Sequence, residues 1–129
     1  MNKRWIGIAA INMAIAVAFG ALGAHALKSA LDVPSLESYS TAVRYHLIHS
    51  IALLILSTLD DRIKGINKVR IVMFLGMVLF SGSIYLLSTR SLFSFGGGLS
   101  FLGPITPIGG LFLIGSWILL AFKSFSDDK

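Results

Sequence analysis

Four long apolar stretches constrain this chain more than any other feature. They run from Trp5 to Leu27, from about Ala42 to Leu59, from about Val69 to Leu87 and from about Pro107 to Phe125. A helix crosses the hydrocarbon core of a bilayer with roughly 20 residues, so each stretch is long enough. Backbone N–H and C=O groups inside lipid must bond within their own segment, which makes these stretches helices. Apolar residues fill 55% of the 129 positions and charged residues 13%, which excludes a disordered chain and places the sequence in the membrane class. The expected fold is an all-α membrane protein. It is a bundle of four transmembrane helices, with spans 5–27, 42–59, 69–87 and 107–125, in one integral membrane domain over residues 1–129.

The charges give that bundle an orientation. Net charge is +5. The basic residues sit mainly between and outside the apolar runs, where they read as topology signals and headgroup contacts rather than as a nucleic-acid surface. Lys3, Arg4, Arg62, Lys64, Lys68, Arg70, Lys123 and Lys129 fall on one side, and Lys28, Arg44 and Arg90 on the other. The positive-inside rule then puts both termini in the cytoplasm. In "FGALGAHALKSAL", Ala24-His25-Ala26 matches a signal-peptide cleavage pattern. The run ahead of it is longer than the roughly 7–15 residues of a signal core, and three more spans follow, so it reads as the outer end of the first helix.

Local chemistry marks the helix starts. Ser35, after Pro34, is expected to cap the second helix, with Glu37 in its first turn. Thr106 is expected to cap the fourth, with Pro107 at its first helical position. The Gly-rich apolar segment "FSFGGGLSFLGP" is expected to pack back onto the outer end of the bundle.

Small residues set the expected packing. Ala16, Gly20 and Ala24 recur every fourth residue on the first helix, with Gly23 beside them, and Gly82, Gly109 and Gly110 mark the third and fourth. Spacing of this kind lets membrane helices approach closely.

Polar residues inside apolar runs are where a site is sought. On the second helix, Ser38, Tyr39, Ala42, Tyr45, His46 and His49 share a face about 100° wide, with Arg44 pointing away. The expected pocket gathers His25, Tyr45, His49, Ser81, Tyr85 and Thr106 at the outer end. A metal would rest on His25 and His49 alone: there is no cysteine, and all six acidic residues lie in connections or tails. That placement also argues against a carboxylate proton relay. Ser81-Gly82-Ser83 reads as a packing and hydrogen-bonding patch. Leu79 precedes it where a rhomboid-type protease would carry its Gly-x-Ser-Gly glycine, so hydrolysis is not indicated.

These patches together resemble the YwdK/YgdD family of small bacterial inner-membrane proteins. The likeness rests on "GALGAHAL" at 20–27, "AVRYHLIHSIALL" at 42–54, "LFSGSIYLL" at 79–87 and "TPIGGLFLIGSW" at 106–117, in the family's order. Gly23, Ala24 and His25 match its Gly-Ala-His, and Tyr45 and His49 its Tyr-x-x-x-His. Phe80 to Tyr85 match its Phe-Ser-Gly-Ser-aliphatic-Tyr, and Thr106 to Gly110 its Thr-Pro-aliphatic-Gly-Gly. The family's Gly-Trp is split here as Gly115-Ser116-Trp117, and His46 falls outside the pattern. The resemblance implies four spans, with no established activity and no catalytic residues to carry over.

The expected role is that of a multi-pass plasma-membrane protein of the bacterial inner membrane, a non-enzymatic interaction or assembly component. The alternative is an outer-leaflet pocket binding a lipid, quinone, haem or metal through its His, Tyr and Ser residues. Expected partners are membrane lipids and either a second copy or another membrane protein, with no nucleic acid. No cofactor is assigned.

Overall fold

The computed structural model describes residues 1–93 and 96–127. Ser94 and Phe95 of the Gly-rich connection, and Asp128 and Lys129 of the C-terminal tail, lie outside them. The described elements are helices: α1 (Lys3–Ala24), α2 (Ala26–Ala30), α3 (Val33–Leu56), α4 (Ile66–Ser88) and α5 (Ile105–Asp127), with short 3₁₀ turns at Arg90–Leu92 and Gly96–Leu102. Three stretches are long and apolar enough to cross a membrane: Lys3–Ala24, Ile66–Ser88 and Gly98–Ser126. Helix α3 has the length, at 24 residues, but carries Glu37, Arg44, His46 and His49 along it.

Each helix start has a local cause, and two differ from expectation. Asn2 caps α1, its side chain accepting from Trp5 N–H at 3.2 Å. The first apolar run is not one helix to Leu27: it ends at Ala24, because His25 leaves helical geometry at φ −116° and ψ −81°. The break turns α2 so that Leu27 and Leu31 are buried with Tyr39, Val43 and Tyr85. Asp32, not Ser35, caps α3, accepting from Ser35 N–H at 2.9 Å. Ser35 holds the Asp32 carboxyl below the usual carboxylate range, by hydrogen bonds from its side chain first and its backbone second. Helix α5 begins at Ile105, so Thr106 and Pro107 lie inside its first turn. The Thr106 hydroxyl is 2.6 Å from Ser83 Oγ on α4 instead of capping its own helix.

Helix α3 packs between α1 and α4, and α5 runs along the other side of α4. Asn2 N–H donates to Ser57 O at 2.8 Å and Lys123 Nζ to Lys64 O at 3.3 Å, so both ends of the chain meet the connection from α3 to α4. The interior has two apolar clusters. One, near that connection, centres on Leu53, Val69, Met73 and Met77. The other, at the opposite end, centres on Tyr39, Ala42 and Tyr85. Between them along α3 and α4 lie four buried polar residues: His46, His49, Ser50 and Ser81.

Near the termini, Arg70 is 1% exposed, although its position beside a basic connection reads as a solvated topology charge. It donates through Nη2 to Asp60, and its guanidinium lies 5.9 Å from the centre of the Trp5 ring. The Arg70 hydrogen bond holds the Asp60 carboxyl below the usual carboxylate range, with further help from the N-terminal ammonium 3.7 Å away. Trp5 Nε1–H donates to Asn67 Oδ1 at 2.8 Å, fastening the start of α1 to the start of α4.

Helices α4 and α5 meet through a reciprocal pair of glycines. A Cβ built on Gly76 would stand 2.8 Å from Leu113 N, and one on Gly109 would strike the backbone of Leu79 and Phe80. Gly76 and Phe80 are one helical turn apart, as are Gly109 and Leu113, so each helix lends a bare turn to the other. Gly82 differs, because a Cβ there meets nothing within 4 Å. Gly109→Val is expected to destabilise the protein by about 1–3 kcal/mol through overpacking, and Gly82→Ala by less than about 0.5 kcal/mol. Thermal unfolding of both variants in detergent checks this, and equal tolerance at the two positions would refute the packing account.

Candidate functional site

Five of the six expected pocket residues are built into three separate places. The first is a chain of hydrogen bonds around His46. Asn12 Nδ2 donates to Ile8 O at 2.8 Å, which leaves Asn12 Oδ1 as an acceptor 3.4 Å from His46 Nε2. That assigns the His46 proton to Nε2, so Nδ1 accepts from the Tyr85 hydroxyl at 3.0 Å. The chain runs from α4 through α3 to α1. Aromatic rings brace it: Tyr85 meets Phe19 edge-on at 4.8 Å and Tyr39 at 5.3 Å. The Tyr39 hydroxyl donates to Phe19 O at 2.7 Å, and its ring lies over Gly23, where a Cβ would come within 2.7 Å of it.

The second place is around His49, which faces α5. Its Nδ1–H donates to Tyr45 O at 2.8 Å, and its Nε2 accepts from Trp117 Nε1–H at 3.2 Å. The Tyr45 ring stacks on His49 at 6.0 Å and leans on Phe80 at 4.7 Å. The third is the Ser83–Thr106 hydroxyl contact between α4 and α5. Ser81 is buried near the first place and donates to Ala42 O at 2.9 Å.

His25 joins none of these. It is exposed at the α1–α2 junction, and no described contact links it to Tyr45 or His49. Nor do the other histidines lie at the end of the helices where His25 stands. Ser50, beside His49, reaches Met77 Sδ at 3.7 Å, and Met77 is the midpoint of Ile66–Ser88. Helix α3 begins nine residues before the apolar run suggests, so His46 sits about 20 Å from its start, at 1.5 Å per residue. Of the expected packing residues, Ala16 and Gly109 are buried, Gly20 faces Val43 Cγ1 and Gly110 faces the Phe80 ring. Ala24 is exposed.

Chemically, His46 and His49 are neutral imidazoles with both nitrogens engaged. Neither presents a free lone pair to a metal or a substrate proton while these bonds stand. Ser81 points its proton at a carbonyl rather than at a histidine, so no Ser–His nucleophile is assembled. Among the described residues, no group of three or more His, Asp or Glu side chains is placed to hold a metal. What the two centres do is join helices. A cleft of about 200 Å3 lies over the first, between α1 and α4, lined by Asn12, Phe19, His46, Gly82 and Tyr85. A groove of about 320 Å3 lies over the second, lined by Tyr45, His49, Phe80, Gly110 and Trp117.

Sequence reasoning missed Asn12, Trp117 and Arg70 as partners and set His46 aside. The signal for His46 was present: Tyr39, Ala42, His46, His49 and Leu53 follow one helical stripe. Trp117 had no such signal, since its partner lies 68 residues away.

The long apolar helices and the internally paired polar groups define a multi-pass helical membrane protein. Its sequence places it further. The profile described as "Protein of unknown function (DUF423)" matches residues 19–110. The UPF0382 membrane protein YwdK of Bacillus subtilis is 40% identical over 121 residues, spanning 92% of this chain and 93% of that protein. A UPF0382 membrane protein of Staphylococcus saprophyticus is 33% identical over 124 residues, spanning 95% and 98%. The UPF0382 inner membrane protein YgdD of Escherichia coli is 34% identical over 123 residues, spanning 93% and 88%. The chain belongs to this family of membrane proteins of unknown function. No solved structure matches it.

Tyr85→Phe is expected to cost about 0.5–1.5 kcal/mol, because one interior hydrogen bond is lost and His46 Nδ1 is left bare. In the His46→Leu background the same change is expected to cost almost nothing. Unfolding of the four proteins in mixed micelles reads the coupling, and strict additivity would break the assigned chain.

Proposed function

We propose that this chain is a four-span component of the bacterial plasma membrane, one domain over residues 1–129, that works by holding another transmembrane segment rather than by catalysis. The observation that carries this reading is the groove between α3 and α5. The His49 ring nitrogens and the Trp117 indole N–H are paired within the chain there, yet Tyr45 and Trp117 stay 42% and 45% exposed along it. Aromatic side chains open on one side, beside an imidazole and an indole already hydrogen-bonded to each other, form a surface for helix packing. The partner is a membrane helix from a second copy or from another protein.

In this reading α3 is the remaining span. Its polar face is turned inward to α1, α4 and α5, and Ile48, Ile51 and Ile55 are turned outward. The termini are cytoplasmic. Support comes from Lys3, Arg4, Arg62, Lys64, Lys68 and Lys123 at one end, which outnumber Lys28, Arg44 and Arg90 at the other even with Arg70 counted as an internal ion pair. In intact cells a membrane-impermeant maleimide is expected to label Ser100→Cys and spare Asn67→Cys. The opposite pattern would invert the topology.

A photo-crosslinker at Ile114, on the rim of the groove, is expected to give one protein adduct of fixed mass in native membranes. The same probe at Ile11, exposed on α1, is expected to give none. Lipid adducts alone at Ile114 would sink the partner reading.

A second reading draws on the cleft between α1 and α4. The space beside Gly82, above Asn12, His46 and Tyr85, is open to a lipid tail or a quinone ring. A stoichiometric extractable lipid or quinone from the purified protein would favour it.

A further inference from the structure

At the end of the helix layer away from the termini, a cleft of about 520 Å3 opens between the first turns of α3, the last turns of α4, the Gly96–Leu102 turn and the start of α5. This is the size of an ordinary small-molecule pocket. Its wall is rich in hydroxyls: Ser35 and Ser38 from α3, Ser88 from α4, Ser100 from the turn and Thr106 from α5. Arg90 is the charged side chain among its lining residues, and no carboxylate lines it. Among the described residues the ion pairs lie at the opposite end, at Met1, Asp60, Asp61 and Arg70, so Arg90 has no acidic partner. Ile84 and Leu87, half-buried on the last turns of α4, form an apolar side of the same cleft.

Ser35 is hydrogen-bonded to Asp32, Ser88 to Tyr85 O and Thr106 to Ser83, which leaves the Ser38 and Ser100 hydroxyls beside the guanidinium. That set suits an anion with several acceptor oxygens. A phosphoryl group can take the planar guanidinium fork on two oxygens and still accept from hydroxyls on the rest. The depth is also suitable. Helix α4 has 23 residues, about the length that crosses hydrocarbon, so Arg90 just beyond its end lies at headgroup level. Ile84 and Leu87 lead from there back toward the lipid.

We propose that this cleft binds a phosphoryl group, carried by a lipid headgroup or by a soluble phosphate ester, with Arg90 on its oxygens and the Ser38 and Ser100 hydroxyls beside it. The site is distinct from both histidine centres and takes Thr106 alone from the residues first expected to form a pocket. The proposal borrows the outer leaflet from the orientation given above, but binding in micelles does not depend on that orientation, so the two fail separately.

The test uses the full chain in neutral detergent, titrated with phosphatidylglycerol or phosphatidylcholine and followed by native mass spectrometry. Inorganic phosphate is titrated alone in a second arm. One phosphatidylglycerol per chain is expected, retained about fivefold better than phosphatidylcholine. Arg90→Ala is expected to abolish that preference and Arg90→Lys to keep part of it. Arg44→Ala, which removes an exposed arginine of the same end outside this cleft, is expected to change nothing. Arg90-dependent retention of phosphate without a lipid preference supports the site and makes its ligand a soluble compound. Retention of neither probe overturns the proposal, and so does equal loss in Arg44→Ala and Arg90→Ala. Unchanged thermal unfolding of the Arg90 variants confirms that they are folded.

Discussion

The polar layer around His46 and His49 is the constraint on which the helix arrangement depends. A polar group left unpaired in hydrocarbon costs several kcal/mol, so these side chains bind helices together only in registers where each finds a partner. His46 links α3 to Tyr85 on α4 and Asn12 on α1, and His49 links it to Trp117 on α5. The two histidines are three residues apart, which turns their rings about 60° from each other on one helix. One helix therefore addresses three others from a single level. The apolar clusters on either side fill the remaining space but carry no direction of their own, and a slip of one turn would leave them greasy while orphaning the imidazoles.

Packing between helices follows from the same solvent. Lipid tails are as apolar as leucine, so burying leucine between helices gains little, and contact has to come from close fit. That is why the α4–α5 seam is built on Gly76 and Gly109, each admitting the other helix's backbone. Near the termini a different device is used. Arg70 is buried against Asp60 and Trp5, with Nε and Nη1 left without hydrogen-bond partners. A buried ion pair is a poor source of stability, because desolvation offsets much of its attraction. Its effect is placement: it holds the start of α4 against the connection that precedes it and against the start of α1.

Much of this was legible in the residues. Apolar length identified three of the helices to within a few positions but missed the first nine residues of α3, and Gly109 was among the glycines expected in helix contacts. The buried stripe of α3 was visible as a period. The errors share one cause. Helix ends and pocket membership depend on where a side chain's partner stands. Ser35 and Thr106 are good caps in isolation, yet Asp32 reached Ser35 first and Ser83 drew the Thr106 hydroxyl away. His25 resembles its fellow histidines in sequence context but sits on a bend that turns it outward. Arg70 looked like one more cation in a basic connection until the helix start carried it inside.

Composition and the length of the apolar runs were therefore enough for the helical class, because burying a backbone in lipid permits few solutions. Family membership was equally legible, since it rests on short motifs in a fixed order. The pairing of Tyr85 with His46 and of Trp117 with His49, the two separate clefts above them and the hydroxyl-lined cleft at Arg90 came with the packed chain. Those contacts join residues 39 and 68 positions apart, and such distances close only when whole helices dock in one register.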